Sequence, residues 1–308
     1  MAHTHDHGHT HDHAGRVDDA LRDSAAGIRA VKISLLVLGI TAAIQVAIVV
    51  ASGSVALLAD TVHNFSDALT AIPLWIAFSL ARRTASRRYT YGLGRAEDLA
   101  GLFVVGAIAV SAVVAAAQAI DRLIHPAPMS HLGWVAAAGV AGFVGNEVVA
   151  LYRIRVGKRI GSAALRADGM HARADGLTSL AVVLGAIGVA LGFPAADPII
   201  GLLIAAAILF VMVAAAREVF ARLLDGVDPD LVDTAYHTLG VQPGVLGVQR
   251  VRMRWVGLRL DADVELDVDP QLSLREAHAL AHHAEHALTH AIPKLDTAVV
   301  HAYPAHTY

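Results

Sequence analysis

The chain of 308 residues contains no cysteine. That excludes a disulfide framework and any thiolate metal centre, so a metal bound here is held by nitrogen and oxygen. Charge is scarce too, with Asp, Glu, Lys and Arg at 17%, against about a quarter in an ordinary soluble domain. No His-Glu-x-x-His run occurs, which removes a familiar signature of a helix-borne metalloprotease. Nor does the chain open with a basic end and an apolar core, so no cleavable signal is expected.

What the missing charge leaves is a series of long apolar blanks. Ile33–Ala59, Leu99–Ile120, Met129–Asn146, Gly176–Ala196 and Pro198–Ala216 hold no Asp, Glu, Lys or Arg. Each is near the roughly 20 residues that cross a hydrocarbon core of about 30 Å. An integral membrane protein follows. Ser54–Leu80 is a further span provided that Asp60, His63 and Asp67 face away from lipid. Six spans are expected, over about 31–52, 54–80, 97–121, 131–152, 162–190 and 197–219.

Basic residues orient these spans. Arg82, Arg83, Arg87, Arg88 and Arg95 are placed between spans two and three, and Arg153, Arg155, Lys158, Arg159 and Arg166 between four and five. Loops on the other side hold Arg122 and little else. The positive-inside rule then puts both basic loops and both termini in the cytoplasm; a bacterial inner (plasma) membrane is the expected location.

Three domains are expected: a disordered His-rich tail over 1–30, a six-helix membrane bundle over 31–220 and a cytoplasmic α+β domain over 221–308. The last opens with a helix from "DPDLVDTAYHTLG", with Asp228 as a cap before Pro229. "GVQRVRMRWVG" and "LRLDADVELDVD" alternate apolar and polar residues as half-buried strands do. "SLREAHALAHHAEHALTHAI" is an amphipathic helix, with Ser273 and Glu276 spaced as a capping box. "DTAVVHAYP" closes the order αββαβ, a ferredoxin-like or metallochaperone-like arrangement.

Two segments of the membrane part carry the chemistry. "LLADTVHNFSDALTAI" and "LRADGMHARADGLTSL" both read Ala-Asp-x-x-His-x-x-x-Asp-x-Leu-Thr. On a helix, residues four apart share a face, so His63 and Asp67 project together from span two, and His171 and Asp175 from span five. Side by side they supply two imidazoles and two carboxylates, enough for a closed tetrahedral site. Asp60 and Asp168 lie three residues before each histidine, placed to orient its ring as an outer ligand shell does or to guide ions at the mouth. Interhelical hydrogen bonding alone is the plainer reading. A carboxylate at mid-membrane costs about 2.5–3.5 kcal/mol or more, however, and Ser, Asn or Gln would bond the helices at lower cost. The repeat therefore favours a cation site.

The paired His-x-x-x-Asp segments, the six spans, "YGLGRAEDLAG" at 91–101 and the αββαβ tail together resemble the cation diffusion facilitator family of divalent-metal/proton antiporters. The resemblance covers essentially residues 31–308. It implies that His63, Asp67, His171 and Asp175 form the transport site, that the chain is a homodimer packed through its cytoplasmic domains, and that metal is exported from the cytoplasm. It implies a divalent cation and protons as substrates in a lipid bilayer, with no nucleic-acid partner and no cofactor beyond the cargo.

Two histidines with two carboxylates suit zinc, cobalt or cadmium better than magnesium or calcium. Manganese transporters of the family tend to carry carboxylates or amides where His63 and His171 stand. "HNFSDALTAIPLWIAF" and "GNEVVALYRIRVGKRIGSAALRADGMHARADG" look like the magnetosome iron-transporter branch, so iron(II) is the second candidate after zinc. Some family members hold zinc in the loop between spans two and three, but "RRTASRRYTYGLG" offers neither Asp nor His, and no such site is expected. In the cytoplasmic part, Gln249, Glu265 and Tyr303 replace the family's bridging ligands. Asp263, His278 and His301, with Glu265 beside them, resemble the sparser regulatory site of the magnetosome branch. Alternatively, His278, His282 and His286 simply face water.

His3, His5, His7, His9, His11 and His13 alternate with Thr, Asp and Gly, a metal-gathering composition that an expression tag would seldom show. Arg173 is expected to pair with Glu97 or Asp98, or to snorkel to the cytoplasmic surface. Other classes fit less well. A membrane metalloenzyme needs an open metal position and a general base, tight four-ligand binding releases an ion too slowly for a channel, and a non-transporting family member that only stabilises a partner would lose liganding residues, none of which is lost here.

Overall fold

The structure, a computed structural model, describes residues 10–52, 71–125, 132–193 and 195–305. In chain order its elements are α1 (Thr10–Ser52), α2 (Ala71–Ala81), α3 (Ala96–Ile124), α4 (Leu132–Ile160), α5 (Ala163–Ala190), α6 (Ala196–Leu223), α7 (Pro229–Gly240), β1 (Val245–Val256), β2 (Arg259–Val268), α8 (Leu274–Ala291) and β3 (Leu295–Pro304). Among the described residues five helices are long and apolar enough to span a membrane, within α1 and at α3, α4, α5 and α6, and α2 is a shorter apolar helix. The remainder of the expected second span lies outside the described residues.

The chain divides into two compact units. One holds Ser24–Ala85 and Gly92–Phe220. The other holds the chain up to Asp23, Ser86–Tyr91 and Ala221 onward. Large apolar side chains point outward from the first unit, including Val113 at 68% and Phe210 at 77% exposed. Exposed side chains of that size are what lipid covers and water penalises.

Among the described residues the closest helix pairing is the α4–α5 hairpin, and its turn is specified locally. Gly161 takes φ 77°, Ser162 N donates to Gly157 O at 2.8 Å, and α4 closes in the six-to-one manner that glycine permits. Ser162 then starts the next helix, its Oγ accepting from Leu165 N at 3.0 Å. Along the seam glycine lets backbones meet. A Cβ built on Gly169 would stand 3.0 Å from Ile154 N and 3.1 Å from Ala150 O. Small residues at such crossings are what allow membrane helices to pack by van der Waals contact.

Two expectations change here. Of residues 1–30, expected to be disordered, the first nine lie outside the described residues, and the rest belong to α1, which is helical from Thr10. The stretch 14–30 is rich in Ala and Arg, and it extends a long helix at no nucleation cost. Arg153, expected in the loop between spans four and five, lies inside α4 and is 2% exposed.

The second unit has the expected αββαβ order. Its sheet runs β1-β2-β3, with β1 antiparallel to β2 and β2 parallel to β3, so α8 is the crossover. Along β2, Leu260, Ala262, Val264, Leu266 and Val268 are all buried. The first four face Ala235 and Leu239 of α7 and Ala284 and Leu288 of α8 in one core. Asp228 caps α7 by accepting from Asp230 N, and Ser273 and Glu276 form the expected capping box on α8.

Candidate functional site

The second copy of the repeated motif lies wholly on α5 and begins about one turn in from its capped start. Asp168, His171 and Asp175 are 0%, 1% and 7% exposed, so all three project into the bundle. His171 Nδ1 lies 3.8 Å from Asp175 Oδ1 across one helical turn. This is the pairing that i, i+4 spacing dictates. The two groups are close enough to share one ion and too far apart for a good hydrogen bond between them.

The first copy, Asp60, His63 and Asp67, lies outside the described residues. The helix that continues from it, α2, packs on α3 and also touches α5, within the same compact unit. Of the four expected transport ligands, the structure therefore places His171 and Asp175 together. Glu97 and Asp98, from the "GRAEDLAG" segment, are buried at the start of α3.

Asp168, expected to orient a histidine or to line the ion path, has its own counter-charge. Arg153 Nη1 of α4 lies 3.0 Å from Asp168 Oδ2, with side chains 2% and 0% exposed. Sequence reasoning missed Arg153. A signal was present, because Asn146, Val149, Ala150, Arg153, Val156, Gly157 and Ile160 recur at three- and four-residue steps and form the buried face of α4. Arg173 corrects a second expectation. Its partner is neither Glu97 nor Asp98 but Glu147 of α4, engaged from Nη2 at 2.8 Å and from Nε at 3.2 Å. Glu147 falls on the neighbouring helix, and the two-pronged guanidinium–carboxylate pair engages both carboxylate oxygens while both side chains stay partly exposed.

At the far end of α3, Arg122 grips Asp197 of α6 with both carboxylate oxygens at 3.1 and 3.0 Å. A small cavity of about 90 Å³ lies against this pair, and Gln118 and Thr178 also line it. Thr178 belongs to the repeated motif.

The cytoplasmic candidates do not gather in one chain. Among the described residues no three His, Asp or Glu form a group able to hold a metal. Glu265 stands opposite His301 in the β2–β3 register, but its carboxylate is paired with Arg250. Asp263 stands opposite Val299. His301 packs on Tyr303, ring centroids 4.4 Å apart, while His278 packs on His282. Of the N-terminal histidines, His3, His5, His7 and His9 lie outside the described residues, and His11 and His13 fall in the first turns of α1.

Comparison with known proteins gives a consistent frame. Residues 31–224 match the cation efflux transmembrane domain, and residues 227–305 match the cytoplasmic domain of cation efflux proteins. A probable cation efflux system protein of Mycobacterium tuberculosis H37Rv is 67% identical over 303 residues, covering 98% of this chain and 90% of its own length. The magnetosome protein MamB of Magnetospirillum gryphiswaldense is 27% identical over 243 residues, covering 79% of this chain and 82% of its own. A solved structure named MamM-CTD is 26% identical, covering 25% of this chain and 98% of its own, with a TM-score of 0.25.

Proposed function

The chain belongs to the cation diffusion facilitator family of cation efflux proteins, and from that premise we propose that it exports zinc from the cytoplasm in exchange for protons. It is an integral, multi-pass membrane transporter rather than an enzyme. The proposed site is a four-ligand cage of His63 and Asp67 from span two with His171 and Asp175 from α5, exposed alternately to each side of the membrane. The chain acts as a homodimer joined through its cytoplasmic domains.

One observation carries this reading. His171 and Asp175 are buried together on one face of α5, inside the matched membrane domain, where ionisable groups are costly unless they serve an ion. The exchange follows from the chemistry of that pair. Metal binding needs a neutral imidazole and an ionised carboxylate, so loading expels protons and acid expels metal. An imidazole changes charge near neutral pH, which makes His63 and His171 the proton carriers. The ligand set of two nitrogens and two oxygens suits zinc and also admits cobalt or cadmium. Iron(II) is the second reading, supported by the likeness to MamB.

Zinc uptake into proteoliposomes, with and without an imposed pH gradient, tests the exchange. Flux should rise when the proton gradient opposes the metal's direction, and flux indifferent to the gradient would end the antiport reading. A parallel series with iron(II), cobalt and manganese ranks the cargo.

A further inference from the structure

Helix α8 carries five histidines that the transport reading does not use, and four of them are regularly spaced. His278, His282, His286 and His290 recur every four residues and are all exposed. The opposite side of the helix, through Ala284 and Leu288, is buried in the cytoplasmic core. At about 3.6 residues per turn each step of four advances the stripe only some 40°, so neighbouring rings stay in reach of one another. They meet as two pairs. His278 and His282 lie with centroids 4.4 Å apart and planes near perpendicular. His286 and His290 repeat that distance at 77°.

We propose that α8 presents two metal-chelating histidine pairs, His278/His282 and His286/His290, each taking one divalent ion of the copper, nickel or zinc class on the surface of the cytoplasmic domain. A metal bound by two imidazoles at about 2.0–2.1 Å holds their nitrogens roughly 3–3.5 Å apart for angles between square and tetrahedral. Rings with centroids 4.4 Å apart reach that separation by small χ rotations, with no helix distortion. Glu285 adds an outer contact, its Oε2 lying 3.3 Å from His282 Nδ1. A histidine held by a carboxylate at one nitrogen binds metal through the other with raised basicity. Two protein ligands leave the remaining positions to water, so these ions exchange readily, and imidazole ligation favours copper(II) and nickel(II) over zinc. These pairs differ from the four-residue candidate set of Asp263, Glu265, His278 and His301, because His282, His286 and His290 belong to neither that set nor the transport site.

The test is equilibrium binding of copper(II) to the detergent-purified full chain, with bound metal counted and its nitrogen couplings read by electron paramagnetic resonance. H286Q/H290Q and H278Q/H282Q should each lose one bound ion per chain, and the four-fold variant two, the N-terminal histidines being common to all. The variant H290A/A291H keeps the number of histidines but moves one off the stripe, and should lose the same single ion as H286Q/H290Q. Zinc flux should be unchanged in H286Q/H290Q and in H290A/A291H, so these sites and the transport reading stand or fall separately. Unchanged copper counts in the double variants, or full binding retained by H290A/A291H, would overturn the assignment.

Discussion

Replacing Arg153 by Met removes the counter-charge of Asp168 while keeping much of the side-chain length. Both side chains are almost wholly inside the bundle, and their closest approach is 3.0 Å. Among the described residues neither Asp168 oxygen makes a hydrogen bond, and Arg153 Nε and Nη2 make none either. The pair is thus held by charge at short range rather than by a satisfied network. Removing one partner from such a pair costs about 3–5 kcal/mol, chiefly because the other charge is left behind. For a folded unit of roughly 150–250 residues, each kcal/mol moves the melting temperature by about 2–4 °C. Arg153→Met should therefore lower the melting temperature of the purified protein by about 6–20 °C. The double variant Arg153→Met with Asp168→Leu removes both charges, and it should recover most or all of that loss. Thermal denaturation in detergent, followed by the monodisperse fraction on size exclusion, measures all four corners of the cycle. The reasoning fails if the single variant melts within a degree or two of the parent, or if the double variant is no better than the single. Zinc flux through the rescued double variant adds a separate reading. Retained flux makes Asp168 a structural partner of α4, and a stable but silent protein puts it in the ion path.

His171→Ala should abolish metal flux in proteoliposomes while leaving a folded dimer, because it deletes a proposed ligand; retained flux would move the site elsewhere. Gly169→Leu should cost about 1–3 kcal/mol or more by overpacking, since its first added carbon already meets backbone of α4 at 3.0 Å; falling yield and melting temperature check it. In the cytoplasmic domain the Ser273 hydroxyl, followed by its backbone N–H, bonds the Glu276 carboxylate and lowers its pKa. The lowered folded value means that this contact stabilises α8 above the ordinary carboxylate range and is lost as pH falls through the folded pKa. Ser273→Ala should therefore raise the Glu276 pKa in a carboxyl-resolved titration and flatten the acid limb of domain stability. Arg222 lies over the Trp255 ring at 4.1 Å and donates to Gly257 O at 2.9 Å. Arg222→Ala should cost about 0.5–2 kcal/mol from the ring contact alone, read as a lower melting temperature, with Arg222→Lys recovering only part.

Where the sequence was sufficient, the signal was periodic or local. Uncharged runs located the spans, alternation along 258–269 located β2, and the offsets from Asp228 and from Ser273 to Glu276 located helix starts. The repeated motif placed His171 and Asp175 on one face because four residues make about one turn. Where it was insufficient, the missing information was a partner on another helix. Arg153 looked like a loop cation because hydropathy averages over a window and discards phase. Its burial depends on Asp168, which only the α4–α5 crossing brings opposite. Arg173 was assigned the wrong acids for the same reason. Glu97, Asp98 and Glu147 are chemically alike as candidates, and only the packed helices show that Glu147 is the acid within reach of Arg173. The helical state of residues 10–30 was hidden by composition, since a charged Ala-rich stretch is ambiguous until a neighbouring helix extends through it.

The glycine-lined crossing of α4 and α5 has a consequence for movement. Where side chains interdigitate, helices slide by exchanging rotamers, but where main chain lies against main chain there is no such slack. Gly169 against Ile154 N and Ala150 O is a contact of that kind, and the pairs Arg153–Asp168 and Arg173–Glu147 fasten the same two helices on either side of it. Helices α4 and α5 therefore travel as one piece, and His171 and Asp175 travel with it. On the proposed transport reading, a bound ion changes the side it sees as that piece and its neighbours, α2 and α3, shift past one another.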